Sequence, residues 1–288
     1  LKDMEKCTLC PVACGADRSK TSGFCGVRSL NIAKYYLHPY EEPCISFKNG
    51  SGTIFFTGCN LRCVFCQNYE LSRTKRGKDI TPAELADIFR ALEEAGAENI
   101  NLVTPAHVVE PIVRALEIYK PNIPLVYNSH GYEKSETLRM IGEYVDIWLP
   151  DLKFFSPALS ERYTGRADYF EYASRAVKFM AEKPLALRED GKMLSGCIVR
   201  HLILPLGARD SMRIVHWVKD NLPAETYFSL MRQYVPYGDA EKFPELRRRI
   251  TAREYREVLD CVLDCGLKNV FLQDAESADA AFIPAWDY

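Results

Sequence analysis

Residues 51–68 read SGTIFFTGCNLRCVFCQN, and this stretch decides the fold. Three cysteines, Cys59, Cys63 and Cys66, follow a short apolar strand at 53–57 with the spacing CxxxCxxC. Three thiolates are one short of the four that close a zinc or iron–sulfur site, and the motif holds no histidine or further cysteine at the usual spacing. The spacing therefore favours an iron–sulfur cube with one iron open to a ligand over structural zinc or buried thiols.

The same spacing with an aromatic residue before the last cysteine, here Phe65, resembles the signature of the radical S-adenosylmethionine (radical SAM) superfamily. That resemblance implies a [4Fe–4S] cluster bound by Cys59, Cys63 and Cys66, whose fourth iron is chelated by S-adenosylmethionine. It also implies reductive cleavage of this cofactor to a 5′-deoxyadenosyl radical, with an electron donor such as flavodoxin or ferredoxin. No catalytic acid or base is expected, because the radical itself abstracts hydrogen.

The composition is that of an ordinary globular protein of 288 residues, with 47% hydrophobic and 26% charged residues. A net charge of −2 gives no overall attraction to nucleic acid or to an acidic membrane surface, so neither partner is expected. Eight of the eleven cysteines lie in the first 66 residues, mostly with metal-like spacing, which favours reduced thiols over disulfides. Because the chain has neither a long apolar run nor a signal-peptide core at its start, we expect a cytoplasmic protein.

A second cysteine group lies near the N-terminus, where Cys7, Cys10, Cys14 and Cys25 follow one another in the segment CTLCPVACGADRSKTSGFC. Four thiolates, with glycines and a proline that permit sharp turns between them, are typical of a closed four-cysteine metal site. The pattern is compatible with structural zinc and with a second [4Fe–4S] cluster that would relay electrons. Thiols without any metal are the third alternative.

From residue 51 onward, apolar strands alternate with amphipathic helices, which predicts a parallel sheet with right-handed crossovers. The predicted fold class is α/β, a partial (β/α)6 TIM-like barrel. We expect residues 1–50 to form a Cys-rich N-terminal segment and lead-in, and residues 51–288 to form the barrel with a C-terminal extension. Thr81 and Glu84 predict a capping box at the start of the first helix. The predicted strands lie near 53–57, 99–104, 124–128, 145–149, 198–204 and 226–231, with a strand-like run at 269–273. The predicted helices lie near 81–95, 107–119, 134–143, 168–182, 210–221 and 251–265.

In a parallel barrel, the C-terminal ends of the strands meet at one mouth, where the chemistry of the fold collects. The amide, carboxylate and cationic side chains at these strand ends suit a zwitterionic sulfonium ligand that carries a ribose. For Asp151 and Lys153 the alternative is an exposed ion pair of little energetic value. His201 falls on the opposite strand face from Arg200 and, like His130, is interpreted as scaffold. The polar residues at or near the strand ends are Thr104, Asn128, Ser129, Asp151, Lys153 and Arg200.

Several segments also resemble pyruvate formate-lyase activating enzyme, and the fullest match is to its relatives in the PflX group. The resemblance implies that Asn128, Asp151 and Lys153 contact S-adenosylmethionine, and that the backbone around Phe65 holds its adenine. Two positions depart from the activating enzymes. Residues 103–105 replace a Gly-Gly-Glu sequence that binds the cofactor's amino group, with Thr104 as a substitute acceptor, and Asn128 replaces an acidic residue. The matching segments are EEPCIS at 41–46, GSGTIFFTGCNLRCVFCQN at 50–68, NINLVTP at 99–105, YNSHGYE at 127–133, LPDLKF at 149–154, RHLILP at 200–205 and LMRQYVP at 230–236.

This resemblance implies an oxidoreductase of the kind that activates glycyl-radical enzymes, so a glycine of a partner protein is the first substrate hypothesis. A small molecule or a peptide is the second. A hypothesis of another class is a non-catalytic iron–sulfur carrier or a zinc-binding scaffold, but a carrier needs a fully ligated cluster and the motif supplies three ligands. Of the remaining cysteines, Cys44 is interpreted as a small buried hydrophobic residue rather than a ligand. Cys261 and Cys265, one helical turn apart, are interpreted as core residues, with metal binding as the alternative.

Overall fold

The computed structural model describes residues 6–73 and 76–273, in which strands and helices alternate. The strands are β1 (Asn31–His38), β2 (Ser51–Phe56), β3 (Lys78–Asp79), β4 (Ile100–Val103), β5 (Leu125–Ser129), β6 (Ile147–Pro150), β7 (Ala186–Leu187), β8 (Met193–Leu202), β9 (Tyr227–Met231) and β10 (Val270–Leu272). The helices are α1 (Pro43–Ser46), α2 (Tyr69–Arg73), α3 (Pro82–Glu94), α4 (Val109–Ile118), α5 (Ser135–Ile141), α6 (Pro157–Thr164), α7 (Tyr169–Ala181), α8 (Ala208–Asn221) and α9 (Ala252–Asp264). Two short 3₁₀ helices, Gly238–Lys242 and Pro244–Leu246, lie between β9 and α9.

The sheet has the strand order β10-β9-β8-β6-β5-β4-β2-β1-β3. Strands β2, β4, β5, β6, β8, β9 and β10 run parallel, whereas β1 and β3 continue the sheet antiparallel beyond β2. Strand β7 pairs antiparallel with β8, off the main path. Because β10 and β3 do not pair with each other, the described part of the sheet is open. The partial barrel predicted from the sequence is confirmed.

The elements predicted from the sequence are present, with differences only at their ends. The capping box at the start of α3 is confirmed, because the Thr81 hydroxyl accepts a hydrogen bond from the Glu84 N–H (3.2 Å) and the Glu84 carboxylate accepts one from the Thr81 N–H (2.8 Å). The strand-like run at 269–273 forms β10, which pairs with β9. Alternation of apolar strands and amphipathic helices was therefore a sufficient guide to the barrel.

Among the elements that were not predicted from the sequence are β1 and α6. Strand β1 lies in the lead-in, where its half-exposed residues hide the alternation, and pairs antiparallel with β2 from Ile32 opposite Phe56 to His38 opposite Ser51. Helix α6 begins after Ser156, whose hydroxyl caps the Leu159 N–H, but it is short and only weakly amphipathic. Both elements form because tertiary neighbours cover them, which local patterns do not reveal.

Side chains of the barrel strands alternate between the interior and the outer helices. On β8, the Arg200 side chain faces inward, while His201 faces the outer layer and bonds the Leu152 carbonyl oxygen (2.6 Å) and the Ser211 hydroxyl (2.8 Å). The predicted separation of Arg200 and His201 is thus confirmed, and His201 is a buried scaffold residue. His130 is also buried scaffold, with its Nε2 bonded to Asn60 at 2.7 Å.

The lead-in segment contributes to the barrel interior. Helix α1 carries Cys44 and Ile45, which pack in one apolar cluster with Val126, Ile147 and Ile198 from three barrel strands. Burial raises the pKa of the Cys44 thiol to about 12, so this thiol behaves as the small hydrophobic side chain predicted from the sequence. Since β1 ends beside the start of β2, α1 fills the barrel from the end opposite the mouth.

The outer helices cover the strands with apolar faces, as Leu85, Phe89 and Leu92 of α3 do. None of the helices in the described ranges is long and apolar enough to cross a membrane.

A buried carboxyl group sits beneath the mouth beside β5. Glu133 accepts hydrogen bonds from the Tyr127 hydroxyl (3.1 Å) and the Ser129 hydroxyl (2.6 Å). Burial raises the pKa of Glu133 to about 7, against the smaller opposite effect of these two hydrogen bonds. The fold therefore favours the neutral carboxyl group.

This arrangement predicts a pH-dependent stability. Neutral Glu133 contributes fully to the free energy of unfolding below the ordinary glutamate pKa of about 4.3. As the pH rises through 7, this contribution is lost, and the free energy of unfolding falls by about 3 kcal/mol in all. Glu133→Gln stays neutral, so the difference in unfolding free energy between the two proteins should change by that amount between about pH 4.5 and pH 7. Urea unfolding measures it, with the exposed Glu143→Gln as the control. Parallel pH profiles for the wild type and Glu133→Gln would contradict the prediction.

Candidate active site

The three cysteines of the CxxxCxxC motif lie directly after β2, in a turn that depends on Gly58. Its φ is +79°, and a Cβ atom there would collide with the Cys25 carbonyl oxygen, so only glycine fits. The turn buries Cys59 and Cys63 and half-buries Cys66. The three thiols are close enough that a negative charge on one thiolate raises the pKa of its neighbours. The motif predicted from the sequence is thus assembled as one group.

The buried thiols suit a metal cluster. Burial raises the pKa of Cys59 to about 11 and raises those of Cys63 and Cys66. Thiolates in such a place need positive charge, and the Lys153 ammonium lies close enough to favour the thiolate form of all three. Three thiolates with one cation beside them match the donor set of an iron–sulfur cluster that has one open iron.

A network of buried charges lies inside the barrel next to these cysteines. Asp151 accepts hydrogen bonds from the Arg200 Nε (2.8 Å) and the Lys153 Nζ (2.6 Å). All three side chains are at most 16% exposed. Burial alone would raise the pKa of Asp151, but the two cations outweigh burial and hold it below its ordinary value. The alternative of an exposed ion pair between Asp151 and Lys153 is therefore wrong, because both side chains are buried beside Arg200.

Two further residues complete this network. The Arg200 Nη2 donates to the Asn128 Oδ1 (2.7 Å), and its Nη1 lies 3.3 Å from the Glu41 Oε2. The Asn128 Nδ2 lies 3.5 Å from the other Glu41 oxygen. Burial raises the pKa of Glu41, and the neighbouring Arg200 opposes this. Glu41 comes from the lead-in, so the network joins the N-terminal segment to strands β5, β6 and β8.

Sequence reasoning gave Glu41 and Glu42 no role. Both belong to the segment EEPCIS, where an acidic pair precedes Pro43 and an apolar run. Charged residues at the start of a buried helix could have indicated an interior role, because a charge that is removed from water needs a partner. Burial also raises the pKa of Glu42, which lies near Ser229 of β9.

Two buried polar side chains of the interior lie beside the acidic pair of the lead-in. Asn101 and Ser229 are fully buried. Asn101 lowers the pKa of Glu41 and Ser229 lowers that of Glu42 through a hydrogen bond, against the larger effect of burial. The acidic pair therefore has polar neighbours on β4 and β9.

An aromatic wall lies on the other side of the cysteine motif. The buried Phe65 ring packs edge-on against Phe154 (ring centroids 6.0 Å apart), Tyr163 (6.4 Å) and Tyr234 (6.4 Å). Phe154 and Tyr163 also line a mainly apolar cavity of about 350 Å³, which Lys153 closes on one side. The interior charges and an apolar cavity therefore share Lys153 as a common boundary.

Two of the candidate residues lie apart from the charge network. The Ser129 hydroxyl donates to Glu133 and accepts from the Gly131 N–H, so it faces away from Asn128, its neighbour on β5. This placement follows from strand alternation. Thr104 directly follows β4 in a left-handed conformation (φ +57°), and its N–H donates to the Asn128 carbonyl oxygen (2.8 Å). The structure brings Asn128, Asp151, Lys153 and Arg200 together and leaves Ser129 and Thr104 outside this network.

The N-terminal cysteines form a second group of thiols. Cys7, Cys10 and Cys25 are buried and Cys14 is exposed. Burial raises the pKa of Cys10 to about 11, and the neighbouring Cys7 and Cys25 add to this rise. This group lies next to the CxxxCxxC motif, since the Cys59 N–H donates to the Cys25 carbonyl oxygen (3.1 Å). The two cysteine groups are thus joined by a backbone hydrogen bond.

Arg18 fixes the N-terminal segment against the barrel. Its guanidinium donates to the carbonyl oxygens of His107 (2.6 Å) and Val27 (3.3 Å), and lies 3.8 Å from the Cys25 Sγ. His107, shortly after β4, is buried, with its Nε2 at 2.8 Å from the Thr57 carbonyl oxygen. Burial lowers the pKa of His107 to about 4, so it is a neutral scaffold residue.

Comparison with known proteins gives one family and a shared fold. Residues 53–186 match the family model of the radical SAM superfamily. The uncharacterized protein MJ0674 of Methanocaldococcus jannaschii is 29% identical over 266 residues, which is 89% of this chain and 74% of that protein.

Two crystal structures of SuiB from Streptococcus suis have a similar fold. The complex with the precursor peptide SuiA has a TM-score of 0.53 at 13% identity and covers 77% of this chain and 48% of SuiB. The complex with S-adenosylmethionine has a TM-score of 0.51 at 15% identity and covers 76% of this chain and 49% of SuiB. This chain therefore spans about half the length of SuiB. The segment that matches the radical SAM superfamily model, 53–186, carries the three cysteines and strands β2, β4, β5 and β6.

Proposed function

We propose that this protein is a radical SAM enzyme that removes hydrogen from a glycine of a partner protein or peptide. The observation that best supports this proposal is that Cys59, Cys63 and Cys66 lie beside the buried charges of Asp151 and Lys153. When bound there, a [4Fe–4S] cluster and S-adenosylmethionine together supply a 5′-deoxyadenosyl radical. The protein's own part is to hold the cluster, orient the cofactor and exclude water.

Charge balance supports the interior as the cofactor site. Three carboxyl groups, Glu41, Glu42 and Asp151, face two cations, Arg200 and Lys153. Burial raises the pKa values of Glu41 and Glu42, and the sulfonium and ammonium of S-adenosylmethionine would favour the charged form of a carboxyl group beside them. The cofactor's own carboxylate would pair with a cation of this network. Burial makes such compensation necessary, because an unpaired charge in the interior is costly.

Individual residues take different parts in this proposal. Lys153 is placed to meet the cofactor's carboxylate, and Asp151 and Asn128 to accept hydrogen bonds from its ribose or ammonium. Glu41 supplies the acidic group that the Gly-Gly-Glu sequence provides in the activating enzymes, although it comes from a different segment. Arg200 orients Asp151, Asn128 and Glu41 by donating to all three.

The apolar cavity beside Lys153 suits the adenine of the cofactor. Leu202 and Leu204 of the RHLILP segment line it, together with Phe154, which packs on Phe65. A cavity of about 350 Å³ is at the lower end of the range for small-molecule sites. The backbone around Phe65 would then lie next to the adenine, as the family resemblance implies.

The N-terminal cysteines are proposed to bind a metal, either zinc or a second [4Fe–4S] cluster. Cys25 shares a backbone hydrogen bond with Cys59, so a cluster there would stand between the catalytic cluster and an external electron donor such as flavodoxin or ferredoxin. Zinc would instead fix the segment over the mouth. Four thiolates satisfy both metals, and metal analysis decides between them.

A peptide or protein substrate is favoured by the open edge of the barrel and by the shared fold of SuiB, which has been crystallised with the precursor peptide SuiA. A small molecule is the alternative substrate.

The enzyme class is tested by product formation. Anaerobically reconstituted protein should form 5′-deoxyadenosine from S-adenosylmethionine and dithionite, whereas the triple variant Cys59→Ala, Cys63→Ala and Cys66→Ala should form none and lose about four irons per chain. Cys197→Ala, which removes a buried thiol of β8, is the matched control and should remain active. If protein that holds the cluster forms no 5′-deoxyadenosine, the proposal is contradicted. Residual iron of about four per triple-variant chain means a second cluster, and zinc alone means a structural N-terminal site.

The substrate class is tested with deuterium. When a protein fraction labelled with glycine deuterated at Cα is added to the reduced enzyme, 5′-deoxyadenosine should gain deuterium, because hydrogen passes from the substrate to the radical. Mass spectrometry of the nucleoside measures this. The nucleoside could instead stay unlabelled with the protein fraction and gain deuterium from a labelled small-molecule fraction. That result would contradict a protein or peptide substrate and favour a small molecule.

A further inference from the structure

A third group of metal-binding side chains lies between the last two helices. His216 is on α8, and Cys261 and Cys265 occupy one face of the end of α9. Cys261 and Cys265 are half-buried and pack against the core, as predicted, and they also contact the exposed His216. The two cysteines stand one helical turn apart, which places their thiols on the same side of α9.

The distances within this group are those of a metal site. The Cys261 Sγ lies 3.6 Å from the His216 Nε2, and the Cys265 Sγ lies 3.4 Å from the His216 Nδ1. One donor atom from each residue lies within 4.8 Å of the other two. A tetrahedral zinc ion with Zn–S of about 2.3 Å and Zn–N of about 2.0 Å places its sulfur and nitrogen ligands about 3.6 Å apart. The two sulfurs approach different nitrogens of the same imidazole, and one ion binds only one of these nitrogens. A rotation of the His216 side chain therefore brings one nitrogen and both sulfurs around a single ion.

The donor set selects the kind of metal. Thiolate and imidazole are ligands that zinc prefers, whereas magnesium and calcium require oxygen ligands. The exposure of His216 leaves a fourth position on the solvent side, which a water molecule can fill. These features are independent of the cysteines at the barrel mouth.

We propose that His216, Cys261 and Cys265 bind a zinc ion that ties α8 to α9. Both helices return the chain from the mouth to the start of the next strand, so the second half of α8 and the end of α9 lie toward the opposite end of the barrel. A metal there is remote from the mouth and stabilises the edge of the sheet formed by β9 and β10. Ion binding to the folded state alone raises stability by mass action.

Zinc content tests the proposal. Reconstituted protein with its iron–sulfur sites filled is equilibrated with zinc, passed through a desalting column and analysed for metals. The wild type should retain about one zinc ion per chain more than the double variant Cys261→Ser and Cys265→Ser. Leu263→Ser, at an exposed position between the two cysteines, is the matched control and should retain the wild-type amount. Because each result is a difference between proteins, zinc at the N-terminal cysteines does not affect it.

Cobalt provides a second readout that does not depend on activity. Added cobalt should give stronger thiolate-to-cobalt charge-transfer bands in the wild type than in the double cysteine variant, and His216→Ala should lie between the two. Zinc should also raise the melting temperature of the wild type by more than that of the double variant. Equal zinc content and equal cobalt spectra in all proteins, or a disulfide between Cys261 and Cys265 in anaerobically prepared protein, would overturn the proposal.

Discussion

The buried contact of Asp151 with Arg200 and Lys153 connects the parts of this molecule. It joins β6 to β8 inside the barrel, and Lys153 extends it to the cysteines after β2. Arg200 also holds Asn128 and Glu41, so the lead-in segment is fixed to the same centre. Removing one partner of such a buried group costs about 3–5 kcal/mol, because the other charge is left uncompensated. The fold tolerates these charges in its interior because each of them has a partner.

The N-terminal segment is part of the site and not an appendage. Its Cys25 carbonyl oxygen accepts a hydrogen bond from the Cys59 N–H, and Gly58 is required for this close approach. Arg18 anchors the same segment to the turn after β4 through the His107 carbonyl oxygen. The two cysteine groups therefore depend on each other for position.

Much of the fold could be predicted from the sequence, because parallel strands and amphipathic helices leave strong periodic signals, as in α3. The cysteine motif and the strand-end residues Asn128, Asp151, Lys153 and Arg200 were predictable for the same reason, since strand order brings those ends together. Glu41 and the pairing of His216 with Cys261 and Cys265 were not. Each depends on segments far apart in the chain, and only tertiary packing determines which of them meet.

The central claim is that the buried charges beside the three cysteines bind S-adenosylmethionine. The direct measurement is the dissociation constant of S-adenosylmethionine for reconstituted Asp151→Asn, compared with Asp146→Asn. Asp146 stands just before β6, at the end of the barrel opposite the mouth, where its carboxylate accepts from the Leu125 N–H (2.9 Å). We predict that Asp151→Asn weakens binding at least tenfold, equivalent to about 1.4 kcal/mol, while Asp146→Asn binds like the wild type. Equal affinity in all three proteins, at equal iron content, would contradict the account.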